Sequence, residues 1–274
     1  MSKNLKSILA GKPSERGLKV WLQSLGYAQR LLLGQEDPWK SGVAKFISFF
    51  SQQNNLVKSD VAILDVDSFF SSWINQNTDL MTAMNAKKRL LYPLSTLLQD
   101  EGARNFFSEV VKAAATNLNG SKPLILQLTS PAQWLEYALK LVGRRDDIAD
   151  IESEDIEDAA MYLADFVRTV GSNHIDGIFL IEKQGNQFAS QYTSLLNVAE
   201  FYHWAMVGKN IQDDDQSFFD AVIGQSGMIK GFDVSQQFHL NQTIDKLSDD
   251  QFYYIELYED AVPAQVLDQL EQLK

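Results

Sequence analysis

Two aspartates placed two positions apart are the first feature of this sequence that could carry out chemistry. Asp65 and Asp67 follow the apolar run VAIL at residues 61–64. If these residues form one strand, both carboxylates point to the same face, because side chains two positions apart in a strand share a face. Paired carboxylates can share a proton, which raises the pKa of one of them. An equally open alternative is that each caps the next helix or binds a neighbouring cation.

Polar residues follow the other apolar runs as well. The candidates are the residues at the predicted carboxyl ends of strands: Gln23, residues 127–130, Glu182, Lys183, His203, Asp233, His239, Glu256 and Glu259. The three histidines lack the spacing of metal ligands, so we expect structural roles for them, with His203 or His239 as an alternative base. The chain has no cysteine, which excludes disulfides, thiolate catalysis and thiolate metal sites. We therefore expect neither a metal nor a cofactor.

The elements that must position these residues alternate between apolar strands and amphipathic helices. The predicted strands lie at 18–23, 61–66, 123–128, 177–182 and 252–257, with weaker ones at 201–208, 228–234 and 237–241. One long helix is predicted at 94–118. A second follows Ser130 as N-cap and Pro131 as the first helical residue, and a third at 153–171 ends at Gly171.

Eight strands separated by helices predict an α/β fold, a (β/α)8 TIM barrel that forms a single domain over residues 1–274. Near-continuous apolar strands of this kind form parallel sheets that are covered on both faces. The alternative is a doubly wound open sheet, which usually has a glycine-rich phosphate loop after its first strand, whereas this chain has SLGY after Gln23. The active site of a TIM barrel lies at the carboxyl ends of its strands, where the candidate residues are.

The composition excludes several classes of partner. The formal net charge is −12 over 274 residues, whereas nucleic acids and anionic membrane surfaces attract basic proteins. The first residues are too polar for a signal peptide, and no apolar run is long enough to span a membrane. We expect a cytoplasmic protein that binds a small molecule and neither nucleic acid nor membrane.

In this arrangement the chain resembles the uroporphyrinogen decarboxylase family, whose superfamily includes cobalamin-independent methionine synthase. LKSILAGKPSERGLKVWLQ at 5–23 resembles the family's first helix, its Gly-x-Pro-x-x-Arg turn and its first strand. AILDVD at 62–67 resembles the strand that ends in the family's catalytic aspartate. TSPAQWLEYAL at 129–139 resembles the turn and the helix that carry an active-site tyrosine. The segments 174–182, 229–235 and 253–273 resemble later strands of the family, in the same order.

The resemblance implies a barrel, somewhat shortened near the C-terminus, in which Asp67 and Tyr137 are the catalytic residues. Dimerisation is common in that family, so the resemblance also implies a homodimer. Together with the rule that sites lie at strand ends, it makes the following residues candidates for substrate binding: Gln23, Tyr27, Arg30, Asp65, Glu182, His203 and Asp233.

The sequence departs from the family where substrate carboxylates are bound. The family's Arg-Gln-Ala-Gly-Arg-Tyr motif is replaced by QSLGYAQR at 23–30, which keeps Gly26 and Tyr27 but neither arginine. Arginine is the natural bidentate partner of a carboxylate, so a porphyrinogen is a poor substrate for this chain. The first hypothesis is a metal-independent lyase of decarboxylase type that acts on a small or cyclic organic substrate, with Asp67 as acid or base. The alternative is a catalytically inactive barrel that serves as a ligand-binding or partner subunit.

Overall fold

The computed structural model describes residues 4–10, 17–184, 189–224 and 230–273. Within these ranges, eight strands form one parallel sheet. The strands are β1 (Val20–Gln23), β2 (Ala62–Asp65), β3 (Leu124–Thr129), β4 (Gly177–Ile181), β5 (Ala205–Lys209), β6 (Ala221–Gly224), β7 (Gly231–Asp233) and β8 (Phe252–Glu256). Neighbours pair in the order β1–β8–β7–β6–β5–β4–β3–β2.

Helices alternate with these strands along the chain. They are α1 (Leu5–Leu9), α2 (Leu25–Leu33), α3 (Val43–Leu56), α4 (Val66–Gln76), α5 (Thr78–Met84), α6 (Tyr92–Leu98), α7 (Glu101–Leu118), α8 (Pro131–Leu141), α9 (Ser153–Arg168), α10 (Thr193–Phe201), α11 (Ser235–His239) and α12 (Pro263–Gln272). Short 3-10 turns lie at Pro38–Ser41, Asp146–Asp150, Ala189–Tyr192 and Asp213–Phe218. No helix in the described ranges has the length and apolar character that a membrane span requires.

The sheet is a nearly closed barrel, and Asp60 links its two outer strands. The Asp60 carboxylate accepts hydrogen bonds from the backbone N–H groups of Lys19 and Val20, each at 2.9 Å. Its own N–H donates to the carbonyl of Val20 at 2.9 Å. These bonds hold the beginning of β1 beside the beginning of β2. The predicted α/β (β/α)8 TIM barrel is therefore confirmed.

A layer of large apolar side chains fills the barrel interior. Trp21, Phe179 and Tyr254 are fully buried there, with ring centroids 5.1 Å apart for Trp21 and Phe179 and 5.7 Å apart for Phe179 and Tyr254. Leu5 and the rest of the buried face of α1 pack against the same interior cluster. Burial of each large side chain contributes roughly 1.5–3 kcal/mol. Because the interior is filled, polar residues that could bind a ligand are confined to the barrel ends.

The second apolar layer lies between the sheet and its helices. Outward side chains such as Leu126 of β3 and Leu180 of β4 pack against apolar faces of α8 and α9 in one continuous cluster. The start of α8 confirms the prediction, with Ser130 as N-cap and Pro131 at the first turn. The inward and outward residues of each strand alternate, because successive side chains of a strand point to opposite faces.

The structure corrects several predicted elements. The predicted strand at 237–241 is wrong, because these residues belong to α11 and the turn after it, and the missing strand is β6. The predicted helix at 94–118 is two helices, because Asp100 caps a new one by accepting the Ala103 N–H at 2.7 Å. The α9 helix ends at Arg168, before the predicted Gly171 cap. Residues 228 and 229 of the predicted strand at 228–234 lie outside the described residues, and β7 covers Gly231–Asp233 of that strand.

Candidate functional site

The two aspartates of the opening motif do not share a strand face. Asp65 ends β2 and is the N-cap of α4, where its Oδ1 accepts the Ser68 N–H at 2.8 Å. Asp67 lies in the first turn of α4. The strand-face argument is therefore wrong, and the capping alternative holds for Asp65. The two carboxylates are still close enough that the charge of Asp65 raises the pKa of Asp67.

Neutral side chains surround the Asp65 carboxylate. Gln127 donates from Nε2 to Asp65 Oδ2 at 3.0 Å, and Gln23 donates from Nε2 to Gln127 Oε1 at 2.7 Å. This chain of amides links the ends of β1, β3 and β2 across the barrel mouth. Burial raises the pKa of Asp65 to about 6, against hydrogen bonds from the backbone of Ser68 and Asp67 that lower it. The Gln23 side chain also lowers the pKa of Asp65, and it is tied to Asp65 through Gln127.

Thr129 at the end of β3 holds the Asp67 carboxylate. Its backbone N–H donates to Asp67 Oδ2 at 2.8 Å, and its hydroxyl donates to Oδ1 at 2.9 Å. Burial is the largest effect on the pKa of Asp67 and raises it to about 7, with the charge of Asp65 as the second cause. The two bonds from Thr129 oppose this rise. No salt bridge in the described ranges includes Asp65 or Asp67. Near neutral pH, Asp67 can therefore both release and accept a proton.

A cavity of about 610 Å³ opens beside Asp67. Asp67 and Tyr137 both line it, which is the geometry that a site made of these two residues requires. The other lining residues come from α4, the end of β3, α8 and the start of the β4–α10 connection: Ser68, Ser71, Thr129, Gln133, Glu136, Lys140 and Lys183. Burial raises the pKa of Tyr137, and a hydrogen bond with Ser71 opposes this. Its phenol therefore stays protonated and can donate a hydrogen bond into the cavity.

Glu182, a predicted substrate-binding residue, is buried and satisfied within the protein. Its side chain is 3% exposed. Its Oε1 accepts the Ser130 hydroxyl at 2.8 Å and the Lys183 N–H at 2.7 Å, and its Oε2 accepts the Tyr192 hydroxyl. This network fixes the end of β4 to the start of α8, so Glu182 supports the cavity wall and does not line the cavity.

A second cluster of polar side chains lies across the barrel mouth, around Lys209 at the end of β5. Its Nζ is 2.9 Å from Asp233 Oδ2 at the end of β7 and 3.5 Å from Glu256 Oε2 at the end of β8. The same Nζ lies 4.4 Å from the centre of the Tyr254 ring. The predicted residue Asp233 is thus in the barrel mouth and has a cationic partner. Its Oδ1 also accepts the hydroxyl of Ser235 at 2.5 Å.

Three other candidates lie outside the barrel mouth. Tyr27 is buried in an outer apolar cluster with Leu22 and Ile255, and Arg30 is on the exposed face of α2. The placement of His203 at a strand's carboxyl end is wrong, because it precedes β5 and lines a cavity at the opposite end of the barrel. That cavity also contains His174, as expected for the end away from the site.

His239, the alternative base, is held by backbone groups at the carboxyl end. Its Nε2 lies 2.9 Å from the carbonyl of Glu256 and 3.3 Å from the N–H of Tyr258. Its ring stacks on that of Tyr258, with 3.6 Å between centroids. Within the described ranges, no group of three or more histidine, aspartate and glutamate residues has the geometry of a metal site.

Sequence reasoning missed Lys209 and Tyr254, both of which are central to the barrel mouth. The predicted strand at 201–208 stopped one residue short of Lys209. The signal was present as the alternation of Ala205, Val207 and Lys209, since the first two face the barrel interior. Tyr254 follows the same period in β8, two residues before Glu256. Extending the predicted strand at 201–208 by one residue would have identified Lys209, and the inward period within the predicted strand at 252–257 would have identified Tyr254.

No known protein-family model matches this sequence, and a comparison with curated protein sequences gives no match.

Proposed function

We propose that the chain is a divergent barrel of the uroporphyrinogen decarboxylase type, a lyase of decarboxylase class that acts on a small organic acid. The observation that supports this proposal best is the position of Asp67. It lines a cavity of about 610 Å³ together with Tyr137, and its pKa is raised to about 7. Ligand cavities have volumes of roughly 300–1,000 Å³. A carboxyl group that titrates near neutral pH is suited to proton transfer in such a cavity.

Four of the lining residues have a chemical role in this proposal. Asp67 transfers the proton, and Tyr137 donates a hydrogen bond to the oxygen on which negative charge develops. Lys183 and Lys140 provide the positive charge for a substrate carboxylate, although Lys140 also pairs with Glu136 at 2.8 Å. The cavity therefore combines an acid with cations, as the decarboxylation of an organic acid requires. The mechanism uses no metal.

The same geometry argues for an acid smaller than a porphyrinogen. A porphyrinogen has many carboxylates, and arginine forks are their best partners. Arg30 is on the exposed face of α2, and the cations at the cavity are two lysines. Two lysines are sufficient for one or two carboxylates, which favours a mono- or dicarboxylic acid as substrate.

One observation favours the alternative, a barrel that binds a ligand without turnover. Both oxygens of Asp67 already accept hydrogen bonds from Thr129, and Asp65 caps α4. These bonds give both aspartates structural roles that do not require turnover. The two proposals differ in turnover, because a binding barrel leaves its ligand unchanged.

Thermal shift and carbon dioxide release together test the proposal. Small mono-, di- and oxo-carboxylic acids are screened first, with tetrapyrroles and corrinoids as competing classes, because a bound ligand raises the melting temperature. An acid that stabilises the wild type is then assayed for carbon dioxide release. We expect Asp67→Asn to keep the thermal shift and lose turnover, and Lys183→Met to lose most of the shift. Asp268→Asn, an exposed aspartate on α12, is the matched control.

The outcomes separate the two functions. A small acid that binds without carbon dioxide release, in wild type and Asp67→Asn alike, supports the binding barrel. A thermal shift with tetrapyrroles and with no small acid contradicts the proposed substrate class. Unchanged turnover in Asp67→Asn removes Asp67 from the role of acid or base.

A further inference from the structure

Lys209 is a primary amine held inside the barrel mouth, and the proposed proton transfer by Asp67 does not use it. Lys209 faces the barrel interior, as Ala205 and Val207 do earlier in β5, and its side chain is 13% exposed. Asp233 and Glu256 lie at 2.9 and 3.5 Å from its Nζ, as described above. Glu256 is 54% exposed at the solvent side. The amine is thus positioned between two proton acceptors and remains open to solvent on one side.

The Tyr254 hydroxyl beneath this amine is an independent observation. Tyr254 is 0% exposed, and its hydroxyl has no hydrogen-bond partner in the described ranges. A buried hydroxyl without a partner costs free energy and calls for an explanation. Burial raises the pKa of this phenol, and the nearby carboxylates Glu256, Asp233 and Asp65 raise it further, so it stays protonated. The centre of the Tyr254 ring lies 4.4 Å from the Lys209 Nζ, so the ring lies below the amine.

Lys209 and the Asp67 cavity belong to the same barrel mouth. Thr129, which binds Asp67, pairs in register with Ile181, and Ile181 pairs with Lys209. Adjacent strands are about 4.8 Å apart, so the Cα atoms of Thr129 and Lys209 are separated by roughly 10 Å. The Lys209 Nζ is directed to Asp233 and Glu256, on the other side of β5 from β3. A substrate that contacts both the Asp67 cavity and the Lys209 amine must therefore bridge this distance across the barrel mouth.

We infer that Lys209 forms an imine with a carbonyl substrate, and that the organic acid of the proposed function is a 3-oxo acid. This inference deepens the proposed function and rests on it for the decarboxylation step. Imine formation offers a metal-free route to decarboxylation, because the iminium nitrogen accepts the electron pair of the breaking carbon–carbon bond. It also gives a use to the buried amine and its two carboxylate neighbours.

The atoms and charges of the reaction balance. The ammonium of Lys209 gives one proton to Asp233 or Glu256, and the free amine attacks the ketone carbon. The ketone oxygen takes up one proton from the attacking nitrogen and one from Asp233 or Glu256 and leaves as water, so that a protonated imine remains. The bond to the carboxylate then breaks, which releases carbon dioxide and leaves an enamine. Asp67 protonates the enamine carbon, and water hydrolyses the imine to a ketone and the lysine.

Trapping of the imine tests this inference without requiring turnover. The intact protein is incubated with acetoacetate and sodium cyanoborohydride, which reduces imines to stable amines, and the labelled lysines are located by peptide mass spectrometry. We expect the label at Lys209 in the wild type and in Asp67→Asn. We expect it to be lost in Lys209→Arg, which keeps a cation beside Asp233. The matched control Lys112→Arg, an exposed lysine on α7, should keep the label at Lys209.

The outcomes distinguish this inference from the proposed function. Label spread over exposed lysines with none at Lys209 overturns the inference and means that Lys209 is a structural ion-pair partner. Carbon dioxide release without label at Lys209 overturns the inference and leaves the proposed decarboxylase. Label at Lys209 without carbon dioxide release supports the imine and overturns the decarboxylation step. Unchanged carbon dioxide release in Lys209→Arg also overturns the inference.

Discussion

The barrel mouth has two halves that contain carboxylates of the same type in opposite electrostatic settings. On the β2–β3 half, Asp65 and Asp67 are held by neutral donors, and their pKa values rise to about 6 and 7. On the β5–β8 half, Asp233 and Glu256 are paired with Lys209. Burial is the largest cause of the raised pKa values on the first half, and Glu256 on the second half is 54% exposed, so the two halves differ in burial as well as in partner. In the functions proposed above, Asp67 of the first half transfers the proton and Lys209 of the second half is the nucleophile.

The largest expected effect comes from removing the cation of the β5–β8 half. Lys209→Met leaves the Asp233 carboxylate partly buried without its partner, so we expect the free energy of unfolding to fall by about 3 kcal/mol in urea denaturation. The double variant Lys209→Met/Asp233→Asn should recover much of this loss, because the unpaired charge is gone. The control is Lys6→Met, which breaks an exposed pair with Asp220 at 3.6 Å and should cost less than about 1 kcal/mol. Equal losses in both single variants would contradict the comparison.

The next effect is a pH dependence in the β2–β3 half. The folded pKa of Asp67, about 7, is above the unfolded value of 3.8. The folded state therefore holds this proton more tightly, and the associated stability is present below pH 4 and lost as pH rises towards 7. Asp67→Asn removes this loss, so it should gain stability relative to wild type between pH 4.5 and 8, by on the order of 2 kcal/mol. Urea denaturation of the wild type and Asp67→Asn at pH 4.5 and at pH 8 measures this gain in stability. A constant difference between the two proteins would mean that Asp67 has an ordinary pKa.

A smaller effect is expected at Glu182, a carboxylate between the two halves that is buried among neutral donors. Tyr192→Phe removes one of its hydroxyl donors and leaves the Ser130 hydroxyl and the Lys183 backbone N–H. We expect a loss of about 1–2 kcal/mol in the free energy of unfolding, because a buried acceptor loses one bond. Tyr162→Phe, a half-buried tyrosine on α9, is the matched control and should be nearly neutral. A neutral Tyr192→Phe would mean that Glu182 does not depend on this bond.

The barrel could be predicted because its signals are local. Each long strand is an apolar run, and each long helix has caps that agree with its amphipathic pattern, as Ser130 and Pro131 do for α8. The four-residue strand β6 was missed because AVIG is too short to stand out between polar segments. The helix break at Asp100 was missed although its signal is local, because the apolar helical pattern continues across the N-cap formed by Asp100 and the Ala103 N–H.

The candidate site could be predicted only in part, for a related reason. The expectation that Asp67 and Tyr137 share a site rests on the resemblance of residues 62–67 and 129–139 to segments of the uroporphyrinogen decarboxylase family, and both residues line one cavity. The role of Thr129 in holding Asp67, and the pairing of Lys209 with Asp233, depend on the register between strands far apart in the chain. Register is set by packing of the whole sheet, so no local pattern reveals it. The same limit explains why Asp65 and Asp67 were assigned to one strand.

The smallest expected effect is a change in the pKa of Asp65, on the β2–β3 half of the barrel mouth. Gln127→Leu keeps the side-chain volume but removes the donor that lies 3.0 Å from Asp65 Oδ2. A hydrogen bond to a carboxylate stabilises its charged form, so we expect the pKa of Asp65 to rise above about 6. The rise should be less than about one pH unit, because one neutral hydrogen bond contributes only ~1 kcal/mol. Titration of the carboxyl ¹³C chemical shift measures it, with Gln133→Leu as control. An unchanged or lower pKa would show that Gln127 does not stabilise the charged form of Asp65.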